Sequence, residues 1–318
     1  MMPSSGWMTW RSAWAQALYG PSGFYRTQQP HEHFRTSAHV SPLFVMAIVS
    51  LVRRLGLEAV TDYGAGSGEL LGHIEALAPD LHLNGIELRP RPAALPTSIR
   101  WSLPTDAFAS GRPSLLIANE LLDNIPCDVV ERDAHDVLRL VEIEPSTGRQ
   151  RLGEPACADV VSWIEQWWPC ERVGQRAEVG LSRDDLWADL CSRPDFELCI
   201  AVDFGHLRES RPGWTTLSSY RRGRLADVSL DGHHDVTAHV AFDSVAARVS
   251  GRLWTQRDML RQLGVDARRP PLAQASEEPA AYVRALARAT QAAELTAIPG
   301  LGSFFWLLSP YRQPLPAS

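Results

Sequence analysis

Three residue types, closely spaced, set the chemistry this chain can do: an acid, a run of glycines, and a second acid. The run is Val60-Thr-Asp62-Tyr-Gly64-Ala-Gly66-Ser-Gly68-Glu-Leu70, and the second acid is Glu87. Glycines allow backbone to approach a ligand closely and leave amide N–H groups pointing outward. A short apolar stretch, Ala59 to Tyr63, precedes them and reads as a buried strand. Leu70-Leu71-Gly-His-Ile74-Glu-Ala-Leu77 follows with helical spacing. A second strand, His82 to Glu87, ends in its acid. An acid at the tip of the second strand of such a unit is placed to grip both ribose hydroxyls of a nucleotide-like cofactor.

Two cofactor classes share this layout. The dinucleotide pattern G-x-G-x-x-G/A requires a small residue three positions after its second glycine, so that helix and strand can pack closely. Here that residue is Glu69, which is large and charged. The spacing is G-x-G-x-G, preceded by Asp62, which is the pattern of class I methyltransferases. Their ligand, S-adenosylmethionine, has no pyrophosphate and carries cationic sulfonium and ammonium groups, which an acid beside the loop suits. The plainer reading of the same residues is a structural turn. The pattern implies cofactor contacts from Asp62, Gly64, Ala65, Gly66, Gly68 and Glu87.

The chain of 318 residues is 45% hydrophobic, as expected of a globular protein of one large domain or two smaller ones. Its net charge of −6 argues against a general nucleic-acid binder. All 31 basic residues are arginine, which excludes lysine Schiff-base chemistry. Five scattered cysteines without C-x-x-C spacing give neither a disulfide framework nor a zinc site, and a reducing cytoplasm is the expected location. No apolar run reaches transmembrane length. The first 31 residues lack acids, faintly like a transit peptide, but they have no signal-type apolar core and are expected to be folded.

The expected fold class is α/β: a Rossmann-like class I methyltransferase sheet with a mixed insertion and extra helices. Strands are expected at 58–63, 82–87, 99–103, 114–119 and 198–204, alternating with helices as in a parallel sheet. Trp10 to Leu18 and Leu43 to Leu55 have helical spacing, as do segments near 240–248, 256–263 and 278–295. Phe304 to Leu308 suits a final buried strand. The reading divides the chain into a helical, cofactor-lid segment at 1–57, a core at 58–130 and 195–318, and an insertion at 131–194. Within the insertion Val137 to Ile143 alternates like a strand, Pro145 to Gly148 reads as a turn, and Val160 to Trp168 reads as a helix.

Several stretches resemble the MidA-like methyltransferases, a family that includes the mitochondrial complex I assembly factor that methylates a protein arginine. They are Tyr19-Gly-Pro-Ser-Gly-Phe24-Tyr25; His33-Phe34-Arg35-Thr36-Ser37-Ala-His-Val-Ser41-Pro42-Leu43-Phe44; Leu116-Ile-Ala118-Asn119-Glu120-Leu121-Leu122-Asp123-Asn124-Ile125-Pro126; Val202-Asp203-Phe204-Gly205; and Asp235-Val-Thr237-Ala238-His239-Val240-Ala-Phe242-Asp243. Trp254-Thr255-Gln256, before a helix ending at Leu263-Gly264, also fits. The resemblance implies that Phe34, Thr36 and Ser37 close over the cofactor and that Asn119 contacts it. His33, Ala65 and Ser67 depart from the family's usual aspartate, proline and arginine, which marks a divergent branch.

Asn119-Glu120 falls at the carboxyl end of a strand, where open α/β sheets bind ligands. Carboxylates there suit a guanidinium, which stays protonated in water and pairs in bidentate geometry. Glu120, Asp123 and Asp203 are therefore the candidate catalytic residues, acting on a protein arginine. Asp123 as a helix cap and Asp203 as a loop anchor are the plainer readings. A small-molecule acceptor, or a non-catalytic assembly role, is the alternative function, and a homodimer is left open. His233, His234 and His239 lack a third ligand at metal spacing, so no metal is expected. His239 and Asp243 are expected to pair locally. Trp163, Trp167 and Trp168 read as core, with a partner-binding face as the second reading. Arg221-Arg222-Gly-Arg224 reads as a solvated loop.

Overall fold

Short apolar runs alternating with amphipathic helices settle into two compact units in the computed structural model, which describes residues 6–28, 41–106 and 111–310. One unit contains 41–106, 111–120, 193–204 and 252–310. The other contains 6–28, 121–192 and 205–251. This division groups the chain differently from the sequence-based boundaries at 57, 130 and 194. The residues before 29 and those of 205–251 fall with the segment read as an insertion.

The first unit is built on seven strands: β1 (Ala59–Tyr63), β2 (His82–Ile86), β3 (Arg100–Ser102), β4 (Ser114–Asn119), β5 (Phe196–Asp203), β6 (Arg252–Thr255) and β7 (Phe305–Ser309). Their order is β6-β7-β5-β4-β1-β2-β3. Neighbours from β5 through β3 are parallel, and β7 runs antiparallel to both β5 and β6. Leu115 to Ala118 and Cys199 to Val202 are essentially inaccessible. Such continuous apolar runs are what a parallel sheet covered on both faces demands. The chain lays β2 and β3 on one side of β1 and then returns to place β4 on the other. That reversal opens a crevice at the strands' carboxyl ends.

Four helices of this unit follow from local signals. α1 (Pro42–Arg54) begins with Ser41 accepting the Leu43 N–H at 3.1 Å and proline in its first turn. α2 (Glu69–Leu77) starts from the glycine loop, and α3 (Gln256–Gln262) is capped by Thr255, which accepts the Asp258 N–H at 3.1 Å. α4 (Pro279–Leu295) buries Ala289, Ala292 and Leu295. Phe44, Ile48, Leu51, Leu71, Ile74, Met259 and Trp306 share one core. All of the strands expected in this sheet are present, displaced by at most two residues at either end.

The second unit has a five-stranded antiparallel sheet. Leu138–Glu144 pairs with Met8–Thr9, Asp128–Arg132 and Arg149–Pro155, and Arg176–Val179 adds to Asp128–Arg132. The expected turn lies between the strands ending at Glu144 and beginning at Arg149, with Gly148 at φ +70° donating to Glu144 O at 2.9 Å. Trp10, Trp14, Leu18 and Phe24 are buried with Val129, Val141, Val236 and Ala238, so the acid-free N-terminal stretch is folded where it is described. Trp163 and Trp168 are core residues, 4% and 1% exposed. The Trp163 indole N–H donates to Asp184 Oδ2 and Ser244 Oγ, both at 2.8 Å.

The helix Leu181–Ser192 was not expected, because its buried face carries charge. Arg183 is 1% exposed, and its guanidinium donates to the carbonyls of Ile125 at 3.2 Å, His239 at 2.9 Å and Asp123 at 2.8 Å.

Gly85 of β2 lies in register with Trp101 of β3, and a Cβ there would come within 2.5 Å of the indole. Gly85→Ala should therefore destabilise the protein by about 1–3 kcal/mol, as overpacking does in a filled core. Thermal or denaturant unfolding measures it, and an unchanged midpoint would show that the Trp101 ring gives way freely.

Candidate active site

The glycine loop is tied to the end of β2. Gly64 and Ala65 both donate their N–H to Ile86 O, at 2.9 and 3.2 Å. Gly64, Gly66 and Gly68 take φ of +82°, +59° and +82°, values that other residues adopt only with strain. Glu87 then receives three backbone N–H groups: Gly66 at 3.0 Å on Oε2, and Leu88 at 2.7 Å and Arg89 at 3.3 Å on Oε1. Glu69 folds back over the loop, accepting the Ser67 N–H at 3.2 Å. A Cβ on Gly68 would meet Leu95 at 2.6 Å, so the loop also rests on the apolar pair Leu95 and Trp101.

Asp62 at the end of β1 is 4% exposed, and its carboxylate receives no hydrogen bond among the described residues. Burial first, then the charges of Glu69 and Glu87, push it up to about 8. Glu87 is also raised by burial, an effect eased by Arg89 and by its three N–H donors. Arg89 Nε stands 3.9 Å from Glu87 Oε1. Among the described residues no group of His, Cys, Asp or Glu is arranged to hold a metal ion. Three carboxylates gathered around one glycine turn, one of them buried without a donor, fit an organic cation as ligand. They oppose the pyrophosphate of a dinucleotide.

Asn119, Glu120 and Asp203 meet at the same edge, at the ends of the adjacent strands β4 and β5. Glu120 has φ +54°, a left-handed conformation costing about 1–2 kcal/mol for a residue with a Cβ. It is held there by its N–H, which donates to Val202 O of β5 at 2.7 Å. Asn119 Nδ2 donates to Glu120 Oε1 at 3.4 Å. Asp203 is fully buried, with Oδ1 accepting the Phe204 N–H at 2.8 Å, which agrees with its reading as a loop anchor.

Asp123 belongs to the second unit. It is 4% exposed and lies inside the short turn Leu122–Asn124, not at its N-cap, which is Leu121. Its carbonyl accepts from Ala238 N–H at 3.1 Å as well as from Arg183. Its charge helps raise Asp235, whose Oδ1 accepts from Tyr25 Oη at 2.9 Å and Asn124 Nδ2 at 3.1 Å. The local pair expected between His239 and Asp243 is replaced by a longer-range one. Asp243 takes both its oxygens to Arg211 Nη2, at 2.7 and 2.6 Å. Phe34, Thr36 and Ser37 lie outside the described residues.

A model of the family described as "Putative S-adenosyl-L-methionine-dependent methyltransferase" matches residues 75–257, more than half of the chain. The chain belongs to this family, and its cofactor is S-adenosylmethionine. The match begins after the glycine loop and takes in Glu87, Asn119, Glu120 and Asp203, so family membership and the glycine spacing are separate lines of support. A crystal structure of a COG1565 superfamily member from Burkholderia thailandensis, bound to S-adenosyl-homocysteine, aligns with a TM-score of 0.76 at 20% identity, covering 96% of this chain and 88% of that one. A native structure of a COG1565 superfamily protein from the same organism aligns at 0.72, with the same identity and coverage. At that identity the likeness speaks to the fold, which is that of class I methyltransferases. No curated protein matches the chain.

Because Asp62 has a folded pKa above its unfolded one, the free folded protein holds a proton that the unfolded chain gives up. Its contribution to stability is present at acid pH and is lost as pH rises toward about 8. A bound cation favours the carboxylate, so binding should expel that proton below pH 8. Calorimetry at pH 7 in buffers of different ionisation enthalpy should show proton release, with cofactor affinity rising between pH 6 and 8. Asp62→Asn should remove both effects. Affinity independent of pH in the unmutated protein would separate Asp62 from the ligand.

Glu87→Ala should weaken cofactor binding by about 1.5–3 kcal/mol, the range for hydrogen bonds to a charged group, while circular dichroism shows the sheet intact. Unchanged affinity in an unfolded or partly folded variant would make Glu87 a purely structural residue.

Proposed function

We propose that this chain is a MidA-like enzyme that methylates a guanidinium nitrogen of a protein arginine. The observation that carries the reading is Glu120, held by the Val202 carbonyl in a left-handed conformation at the strand edge next to Asn119. Strain of this kind persists where the surroundings over-determine it, and it gathers at sites of function. A side chain so held is aimed by its backbone.

S-adenosylmethionine supplies the methyl group. Asp62, Gly64, Ala65, Gly66 and Gly68 would hold its methionine portion and Glu87 its ribose. Asn119 would lie against it, with Phe34, Thr36 and Ser37 closing above. Methyl transfer is an in-line displacement, so alignment in a water-free site supplies most of what is needed, roughly 7–11 kcal/mol of barrier from proximity. Glu120 would pair with the guanidinium, orient one nitrogen and take its proton as the new bond forms. Asp203, next along the edge, would lower the potential felt by the cation. Asp123 would act by its charge on Asp235, within the other unit.

Glu120→Gln keeps the shape but loses the charge and the proton acceptor. Cofactor affinity should be retained, and kcat/KM should fall by about 10²–10⁴, the usual worth of a general base. Transfer of labelled methyl into cell extract, separated into protein and small molecules, tests the acceptor class. Label in protein hydrolysates as methylarginine supports the proposal. Label confined to small molecules, with Glu120→Gln fully active, would replace it with a small-molecule methyltransferase.

A further inference from the structure

The basic run at 221–224 is the tip of a hairpin. Ser218–Arg221 pairs antiparallel with Arg224–Ala226, with Tyr220 opposite Leu225 and Arg221 opposite Arg224. Arg222 and Gly223 make the two-residue turn, with φ of +50° and +73°. Turns of this kind favour Asn, Asp or Gly first, so arginine there carries a left-handed penalty. Like charges directly opposite each other are also destabilising. All three arginines are exposed, Leu225 beside them is 71% exposed, and among the described residues neither Arg221 nor Arg224 forms an ion pair.

The five-stranded sheet of the same unit follows the opposite rule. There Arg149 faces Glu144, Arg151 faces Glu142 and Arg176 faces Glu131, each pair in register and each joined by an ion pair. Those three cross-strand arginines are met by acids, and the hairpin tip is an exception to that pattern, with Arg221 and Arg224 facing each other. The exception stands in a chain whose net charge is −6, so it opposes the overall sign as well. Two like charges opposed at an exposed tip, neither with an acid in register across from it, suit an anion supplied from outside the chain.

We propose that the hairpin tip docks an acidic segment of a partner protein, with carboxylates bridging Arg221 and Arg224 and an apolar side chain against Leu225. Guanidiniums offer paired donors that match a carboxylate in bidentate geometry. A nucleic acid would meet the repulsion of the whole chain and a basic track of only three residues.

The test is fluorescence anisotropy on the full chain with a labelled peptide of repeated Glu-Glu-Leu triplets, set beside labelled oligouridine and phosphatidylserine vesicles. The peptide should bind in preference to both. Arg221→Ser with Arg224→Ser should weaken it by about tenfold, as expected for two surface charge pairs, whereas Arg268→Ser at another exposed site should not. Arg224→Glu alone should abolish peptide binding and raise the thermal midpoint, because it gives Arg221 an in-register partner. Undiminished binding in the double variant, equal loss in Arg268→Ser, preference for oligouridine or vesicles, or a lowered midpoint in Arg224→Glu would each overturn the proposal.

Discussion

Gly66 gives its amide hydrogen to Glu87, and the glycine-loop end of the sheet unit depends on that contact. It joins the loop after β1 to the tip of β2 at the point where the strand order reverses. It is available only because Gly64, Gly66 and Gly68 accept positive φ, which turns successive N–H groups toward Ile86 O and Glu87. The same contact holds a negative charge against Asp62 and Glu69. A loop that concentrates carboxyl groups, where a dinucleotide site would concentrate donors, suits a cationic ligand by charge before shape.

The parts of this fold legible in the sequence are those set by near neighbours along the chain. Central strands such as Ser114–Asn119 announce themselves as continuous apolar runs, and α1 by Ser41-Pro42 ahead of an apolar face. Glu69 separated two cofactor classes because its position is fixed relative to the glycines, whatever the rest of the chain does. The ends of β1, β2, β4 and β5 could be placed for the same reason, and with them Asp62, Glu87, Asn119, Glu120 and Asp203.

What stayed hidden depends on contacts between distant residues. The indole N–H of Trp14 donates to Val236 O at 3.1 Å across 222 positions, which groups the N-terminal helix with a segment that read as part of the core. Leu181–Ser192 escaped notice because Arg183 and Asp184 face inward. Arg183 is held by carbonyls and Asp184 Oδ2 by Trp163 and Ser244, none of which periodicity can supply. Asp243 finds Arg211 instead of a residue one helical turn away. Arg221 and Arg224 looked like a loop because cross-strand register cannot be read from composition.

The central claim is that Glu87 orders the glycine loop in the free protein and holds the ribose of the cofactor. A crystal structure of the full chain with S-adenosyl-homocysteine tests it most directly. The account predicts both ribose hydroxyls within hydrogen-bond distance of the Glu87 carboxylate and the ligand's amino end near Asp62 and Glu69. A ribose lying away from β2, with the Gly66–Glu87 contact as it stands and Asp62 remote from the ligand, would contradict it.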